Sequence, residues 1–305
     1  MPVMQIADAE LYYDEYGDGD EVVLSSAMAF DPGAYPACLA APPTGYHVYT
    51  IQARGYGRSS HPDEPPAQGW LDQWADDVRA FADRLGVDRF IYTGISHGGG
   101  IGWHLAARRP ERLKALISVV GTPHDRDGGT ASSAGRRRMI ENRRSPGIVA
   151  EQLRIMYGPT DDPVRRAARE EQIARRVEQY LAQPERETLI NQGKPFPDAR
   201  TDEDLAEVLR GIRVPVLILA AMRDGVISPE SALRAARSVR GAKAVLFEDE
   251  GHFIGTESPE RLVREVRVFV DELNGVAEPL TAAPTAPPTT APTTPAAATS
   301  TGAGA

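Results

Sequence analysis

The sequence has a single cysteine, Cys38, and no long apolar run. One cysteine excludes an internal disulfide and any metal or redox site built on a Cys-x-x-Cys pair. The spacing of the six histidines matches no metal-binding motif. A membrane-spanning helix needs about 20 consecutive apolar residues, and the acidic N-terminal stretch lacks the basic start and apolar run of a secretory signal. We therefore expect a cytoplasmic protein that spans no membrane and binds no metal.

The chain is also poor in positive charge, since 34 Lys and Arg against 43 Asp and Glu give a formal net charge of −9. Nonspecific binding to nucleic acid or to an anionic membrane needs a concentrated positive field, so neither partner is expected. With 305 residues, 41% of them hydrophobic, the chain is long enough to bury a sizeable core. These features fit a protein that acts on a small-molecule substrate.

Short apolar runs alternate with helical patterns along most of the chain. The runs cover residues 22–25, 48–52, 90–93, 115–120, 216–220 and 244–247. Such alternation predicts an α/β fold, with a mostly parallel sheet covered by helices on both faces. Two further strand-like pieces within residues 4–16 are expected to pair antiparallel at one edge, which makes eight strands in all.

The regular alternation is interrupted in one segment and ends in another. Residues 123–210 carry helix-like patterns and no convincing strand, which predicts a helical cap inserted after the sixth strand. The core would then consist of residues 1–122 and 211–275. Residues 276–305 are mostly Pro, Thr and Ala, too poor in large apolar residues to offset the entropy of ordering. They are predicted to form a disordered tail.

A Gly-x-Ser-x-Gly pentapeptide occupies residues 94–98, directly after the predicted strand 90–93 and before a helical pattern. The pentapeptide alone is a weak motif. In the order strand, turn, helix, however, its serine lies on a strained turn that exposes the hydroxyl. Ser96 is therefore the candidate nucleophile.

A serine hydroxyl needs a histidine to take its proton and a carboxylate to orient that histidine. Asp224 follows the predicted strand 216–220, and His252 follows the predicted strand 244–247 after a short acidic turn. Taken singly, Asp224 is equally explained as a turn former and His252 as a loop histidine. The chain order Ser, Asp, His matches a known triad arrangement. We predict that Ser96, Asp224 and His252 form a catalytic triad at the C-terminal edge of the sheet.

Acyl transfer also needs backbone donors for the developing oxyanion. They usually come from the residue after the nucleophile and from the loop after an early strand. This predicts the N–H groups of His97 and Met28 as the oxyanion hole. For residues 25–27, just before Met28, simple packing at the end of a strand is the alternative.

Three further side chains are candidate substrate contacts. His124 opens the predicted cap, Arg136 lies within it, and Phe253 follows the candidate base. Because the cap segment is mildly basic in an acidic chain, Arg136 with its neighbours Arg137 and Arg138 is the first candidate for a cradle that binds an anionic substrate. A solvated helical surface is the alternative explanation of these charges.

Taken together, these features resemble the α/β-hydrolase superfamily over about residues 3–273. The loop RGYGRSS at residues 54–60 looks like the family's R-G-x-G-x-S loop, with Gln52 in place of the usual acidic residue. The Pro-Glu-Arg sequence at 110–112 and the Gly-His pair at 251–252 are also typical. The resemblance implies the fold, the triad and an enzyme that needs no cofactor.

Within the superfamily, the chain is most similar to the 3-oxoadipate enol-lactonases. The LSSAM segment at residues 24–28 looks like their L-S-N-S-L segment, and residues 252–260 are similar to the end of those enzymes. His97 stands where they carry Met, and the cap segment 123–210 contains no tryptophan. This resemblance implies a cytoplasmic, cofactor-free lactone or ester hydrolase.

The resulting hypothesis is a serine hydrolase that cleaves a small carboxylic ester or lactone through an acyl-enzyme. The same triad would also serve a carbon-carbon bond hydrolase of the meta-cleavage-product type, whose substrates are anionic. A noncatalytic ligand receptor on the same fold is a third alternative. Epoxide and haloalkane hydrolysis are disfavoured, because relatives with those activities carry Asp where this chain has Ser96.

Overall fold

The computed structural model describes residues 2–275, which form one eight-stranded sheet with helices packed on both faces. The predicted tail at 276–305 lies outside these residues. No helix within residues 2–275 combines the length and the apolar character needed to cross a membrane.

The sheet has the order β1-β2-β4-β3-β5-β6-β7-β8. Its strands are β1 (Val3–Gln5), β2 (Glu10–Tyr16), β3 (Val22–Ala27), β4 (His47–Gln52), β5 (Phe90–Ile95), β6 (Leu113–Val119), β7 (Val216–Ala221) and β8 (Lys243–Phe247). β1 pairs antiparallel with β2, and β2 with β4, whereas every other neighbouring pair is parallel. The prediction of a mostly parallel α/β sheet with an antiparallel edge is confirmed.

Ten α-helices accompany the sheet in the described residues. They are α1 (Trp70–Leu85), α2 (His97–Arg108), α3 (Ala134–Glu141), α4 (Pro146–Tyr157), α5 (Pro163–Ala182), α6 (Glu185–Thr188), α7 (Asp202–Arg210), α8 (Pro229–Ser238), α9 (Ile254–Glu257) and α10 (Pro259–Leu273). Two short 3-10 helices cover Ala37–Ala40 and Pro110–Arg112.

The sheet separates two hydrophobic layers. Successive side chains of a strand point to opposite faces. Leu116 of β6 accordingly belongs to the cluster that includes residues of α1, α2 and α8, and its neighbour Ile117 to the cluster that includes residues of α10. All six residues of β7 are buried, as expected for a central parallel strand covered on both sides. The short apolar run at residues 216–220 therefore corresponds to an interior strand of the sheet.

Helix α1 shows how the helical pattern produces one of these layers. Leu71, Trp74, Val78 and Phe81 recur three or four residues apart and are all buried, which gives the helix a single apolar stripe. The helix ends at Gly86, whose φ of 71° is left-handed and therefore favours glycine. The stripe presses α1 against the sheet beside α2.

A helical insertion follows the sixth strand, as predicted. Helices α4 and α5 pack on each other through a small hydrophobic cluster of their own, which includes Val149 and Ile173. Helix α7 instead contributes Leu205 and Leu209 to the cluster that covers the sheet. The division of the chain into core and cap at residues 123–210 stays a prediction.

Candidate active site

Ser96 lies between β5 and α2 in a conformation that few non-glycine residues adopt. Its φ is 52° and its ψ is −116°, outside the regions favoured by L-amino acids. Two backbone hydrogen bonds hold the turn: the Ser96 N–H donates to the Val119 carbonyl at 3.0 Å, and the Ser96 carbonyl accepts from Gly100 at 3.1 Å. The serine side chain therefore leaves the sheet at a sharp, fixed turn.

Close backbone contacts explain both glycines of the pentapeptide. A Cβ on Gly94 would lie 2.2 Å from the carbonyl carbon of Gly98, and a Cβ on Gly98 would lie 2.7 Å from the carbonyl oxygen of Ser26. Neither contact is sterically permitted. Because neither glycine has a Cβ, the end of β3 can lie close to the start of α2. Met28 follows β3, and His97 is the first residue of α2.

Asp224 and His252 are joined by a hydrogen bond of 2.8 Å between Asp224 Oδ2 and His252 Nδ1. Asp224 follows β7 and His252 follows β8, so both lie at the C-terminal edge of the sheet. The other carboxylate oxygen, Oδ1, accepts from the N–H groups of Val226 at 2.7 Å and Ile227 at 3.1 Å. The carboxylate is thus fixed on both sides.

The Asp224 contact determines which nitrogen of the His252 ring carries the proton. A carboxylate accepts, so Nδ1 donates and Nε2 of a neutral ring is left as an acceptor. The side chains of Asp224 and His252 are only 1% and 3% exposed. His252 and Ser96 both line one cavity of about 1630 Å³. The arrangement places the candidate base and the hydroxyl of the candidate nucleophile on the same cavity.

The two predicted oxyanion donors lie on the same cavity. His97 is the first residue of α2, and the first N–H groups of a helix have no acceptor within it. Met28 belongs to the loop after β3. The side chain of Gln52 joins this loop to Arg58: its Nε2 donates to the Met28 carbonyl at 3.3 Å, and its Oε1 accepts from the Arg58 N–H at 2.8 Å. Gln52 thus ties the Met28 loop to the loop after β4, a role that the sequence does not indicate.

The remaining candidate contacts also line the cavity, namely His124, Arg136 and Phe253. Asp224 does not line it and lies behind the His252 ring. Apart from Asp224, which contacts His252, the predicted site residues therefore all line one cavity, while their roles in chemistry stay predictions.

Two histidines of the cavity wall are uncharged at neutral pH. Burial and the positive charge of Arg136 lower the pKa of His97 from 6.5 to about 4. Burial and the charge of Lys194 lower the pKa of His124 from 6.5 to about 4. Each presents a neutral imidazole to a bound molecule.

Phe253 packs between two residues of the helical insertion. Its ring centroid is 4.4 Å from that of Tyr157, and the Arg176 guanidinium carbon lies 4.2 Å from the Phe253 ring centroid. Arg176 in turn donates to the Tyr157 hydroxyl at 3.2 Å. The residue after His252 is therefore held by helices α4 and α5 of the insertion.

Glu250, two residues before His252, is a buried carboxylate that sequence reasoning left without a role. It is 1% exposed and accepts from Arg165 Nη2 at 2.6 Å, Arg261 Nη1 at 2.6 Å and the Ser258 hydroxyl at 2.7 Å. Arg165 belongs to α5 and Arg261 to α10. Nothing in the sequence distinguishes Glu250 from its exposed neighbour Glu248, because both belong to the same acidic turn.

Comparison with known proteins identifies the family. The alpha/beta hydrolase fold family matches residues 30–259, and the chain belongs to it. It is 26% identical over 274 residues to the putative carbamate hydrolase RutD of Azorhizobium caulinodans, covering 90% of this chain and 100% of that protein. It is 24% identical over 273 residues to 3-oxoadipate enol-lactonase 2 of Acinetobacter baylyi, covering 88% and 95%.

A solved structure supports the same fold. The meta-cleavage product hydrolase CumD of Pseudomonas fluorescens IP01 has a TM-score of 0.71 at 20% identity, over 89% of this chain and 98% of that one. The chain is therefore an α/β-fold hydrolase, and its resemblance to enol-lactonases is consistent with these relatives.

Proposed function

We propose that this protein is a serine hydrolase that cleaves a small carboxylic ester or lactone through an acyl-enzyme. The observation that carries the proposal is the 2.8 Å hydrogen bond between Asp224 and His252, on a cavity that Ser96 also lines. A serine nucleophile, a histidine base and an orienting carboxylate are the groups that such chemistry requires.

In the first half of the reaction, Ser96 Oγ attacks the carbonyl carbon of the substrate and its proton passes to His252 Nε2. Asp224 stabilises the resulting imidazolium, and the N–H groups of His97 and Met28 bind the oxyanion. The tetrahedral intermediate then collapses, and the leaving oxygen takes the proton from His252. The product of this half is an ester on Ser96.

In the second half, His252 takes a proton from water as the water oxygen attacks the acyl carbon. Collapse of the second tetrahedral intermediate returns the proton to Ser96 Oγ and releases the carboxylic acid. The insertion over the cavity would limit access of bulk water and shape the acyl pocket. No metal or organic cofactor takes part, and we propose that the enzyme works in the cytoplasm.

The Ser96→Ala variant tests this proposal with a 4-nitrophenyl ester. We expect turnover to fall to background while circular dichroism and unfolding midpoint stay unchanged, because only one oxygen atom is removed. Turnover at the wild-type rate in a folded Ser96→Ala protein would refute the proposal.

Carbon-carbon bond hydrolysis is the second candidate. It is favoured by the arginines Arg136, Arg175 and Arg176 on the cavity wall, because substrates of the meta-cleavage type are anionic. Comparing an enol-lactone with a vinylogous diketone separates the two reactions. The ester and lactone proposal predicts that the enol-lactone has the higher kcat/KM.

A further inference from the structure

Part of the cavity wall consists of buried polar atoms that have no partner in the protein. Among residues 2–275, the Tyr56 hydroxyl, His97 Nε2 and Arg136 Nε make no hydrogen bond, and all three residues line the cavity. Buried polar groups are normally hydrogen-bonded, so an orphaned group calls for an explanation. With Gln192 Oε1, a fourth such atom on the cavity, these orphaned groups suggest a shared ligand.

Tyr56, His97 and Arg136 lie in the same region of the cavity wall. The rings of Tyr56 and His97 both lie 6.1 Å from Trp74, measured between ring centroids. The charge of Arg136 contributes to the lowered pKa of His97 and opposes the effect of burial on the Tyr56 pKa. Arg136 therefore lies near enough to act on both rings.

No carboxylate within residues 2–275 bonds to Arg136. Its Nη2 donates to the backbone carbonyls of Thr188, at 3.1 Å, and Ile190. These contacts hold the guanidinium without neutralising its charge. Glu187, the buried carboxylate on this wall, instead accepts from the Gly57 N–H at 3.1 Å, and at the Tyr56 hydroxyl the influence of Arg136 is greater than that of Glu187.

We propose that Arg136, Tyr56 and His97 form a subsite that binds a carboxylate of the substrate, separate from the carbonyl that Ser96 attacks. A guanidinium and a hydroxyl donate to the two oxygens of a carboxylate, and a fixed guanidinium suits its planar shape. The neutral His97 ring supplies a polar contact between this subsite and the candidate nucleophile. The proposal rests on the proposed function and narrows its substrates to carboxylate-bearing esters and lactones.

Pairs of esters that differ in charge test the subsite. The mono-4-nitrophenyl esters of adipic and suberic acid carry a free carboxylate, and their methyl-capped forms are uncharged but otherwise similar. We expect the wild-type enzyme to hydrolyse at least one charged ester with a higher kcat/KM than its capped form. An equal or higher kcat/KM for both capped esters would overturn the proposal.

The Arg136→Gln variant should lose this preference, with kcat/KM for the charged ester falling on the order of 10- to 100-fold, as for a lost charge-assisted hydrogen bond. The capped ester should be much less affected. Arg138→Gln is the matched control, because Arg138 lies on the same helix but pairs with Glu151 at 2.7 Å on the surface. An equal loss for both esters in Arg136→Gln would contradict a charge-specific role.

Tyr56→Phe tests the subsite without removing a charge or a protein hydrogen bond. Since the hydroxyl has no hydrogen-bond partner in the described part of the chain, the variant should fold with wild-type stability and lose kcat/KM selectively for the charged ester. Unchanged kinetics for both esters would overturn the role of Tyr56. The Ser96→Ala control separates the two proposals: turnover that depends on Ser96 but shows no charge preference refutes the subsite alone.

Discussion

The backbone N–H of His252 donates to the carbonyl of Met156, in the last turn of helix α4, at 2.7 Å. The backbone of the preceding residue, Gly251, also lies close to α4: a Cβ added there would be 2.2 Å from the Tyr157 carbonyl oxygen. The loop that carries the candidate base is thus packed directly against the insertion. We infer that the insertion positions His252 as well as covering the cavity.

A methyl group at Gly251 should disturb this contact. We expect Gly251→Ala to displace the His252 loop and to lower kcat by about 100-fold, the effect of roughly 1 Å of misplacement at a reacting group. Steady-state kinetics with a 4-nitrophenyl ester measure the change. Gly147→Ala is the control, since Gly147 also belongs to α4 and a Cβ there meets no atom within 4 Å. Equal activity of the two variants would show that the contact does not position the base.

The carboxylate behind His252 should matter for chemistry more than for folding. In Asp224→Asn, the amide can still accept from the backbone N–H groups but no longer stabilises the imidazolium or the required tautomer. We expect kcat to fall by about 10,000-fold, with little change in the unfolding midpoint. Asp249→Asn alters an exposed carboxylate near the same loop, and its kcat should stay close to wild type. A small effect of Asp224→Asn would argue against its proposed role.

The loop that carries Tyr56 is anchored by a buried ion pair. Arg54 Nη2 lies 2.7 Å from Asp77 Oδ1, and the two side chains are 8% and 5% exposed. Replacing Arg54 by Met leaves Asp77 buried without its partner, which should destabilise the protein by about 3–5 kcal/mol. Urea unfolding measures this loss. Arg79→Met removes an exposed pair with Asp83, where a loss below about 1 kcal/mol is expected; similar losses in both variants would refute the assignment.

Acid should destabilise the protein through its buried histidines. The pKa of His97 falls from 6.5 to about 4 in the folded state, so between these values the unfolded state binds more protons. The free energy of unfolding is therefore unaffected by His97 above pH 6.5 and decreases as the pH falls from 6.5 toward 4. The slope is up to about 1.4 kcal/mol per pH unit.

The His97→Leu variant isolates this contribution. Urea unfolding across the same pH range should show a weaker pH dependence than wild type, with the remaining slope due in part to His124, whose pKa is lowered in the same way. If the two proteins lose stability in parallel, His97 is not the group that titrates.

The strands of the sheet could be predicted from residue patterns because the apolar runs of its interior strands are largely buried on both faces. The run at residues 216–220, for example, corresponds to β7, which is buried throughout. The turn at Ser96 could be predicted for a related reason: the glycines at 94 and 98 leave room for close backbone contacts. Local steric and burial requirements restrict the residue types at these positions, so they can be recognised in a single sequence.

The contacts between the insertion and the site could not be predicted in this way. The Glu250 carboxylate meets Arg165 across 85 residues, and the Met156 carbonyl accepts from a backbone N–H that any residue except proline would provide. Nor does the sequence indicate that the Tyr56 hydroxyl is buried without a partner. Such pairings depend on how distant segments pack, and residue type and spacing carry little information about them.

Covalent labelling of Ser96 tests the central claim most directly. A fluorophosphonate reacts with a serine only when a neighbouring base activates it, so intact mass and peptide mapping identify the nucleophile. We predict a single adduct on the peptide that contains Ser96, absent in Ser96→Ala and formed much more slowly in Asp224→Asn. No adduct on folded wild-type protein, or an adduct on another residue, would contradict the account and favour a noncatalytic ligand receptor or a different nucleophile.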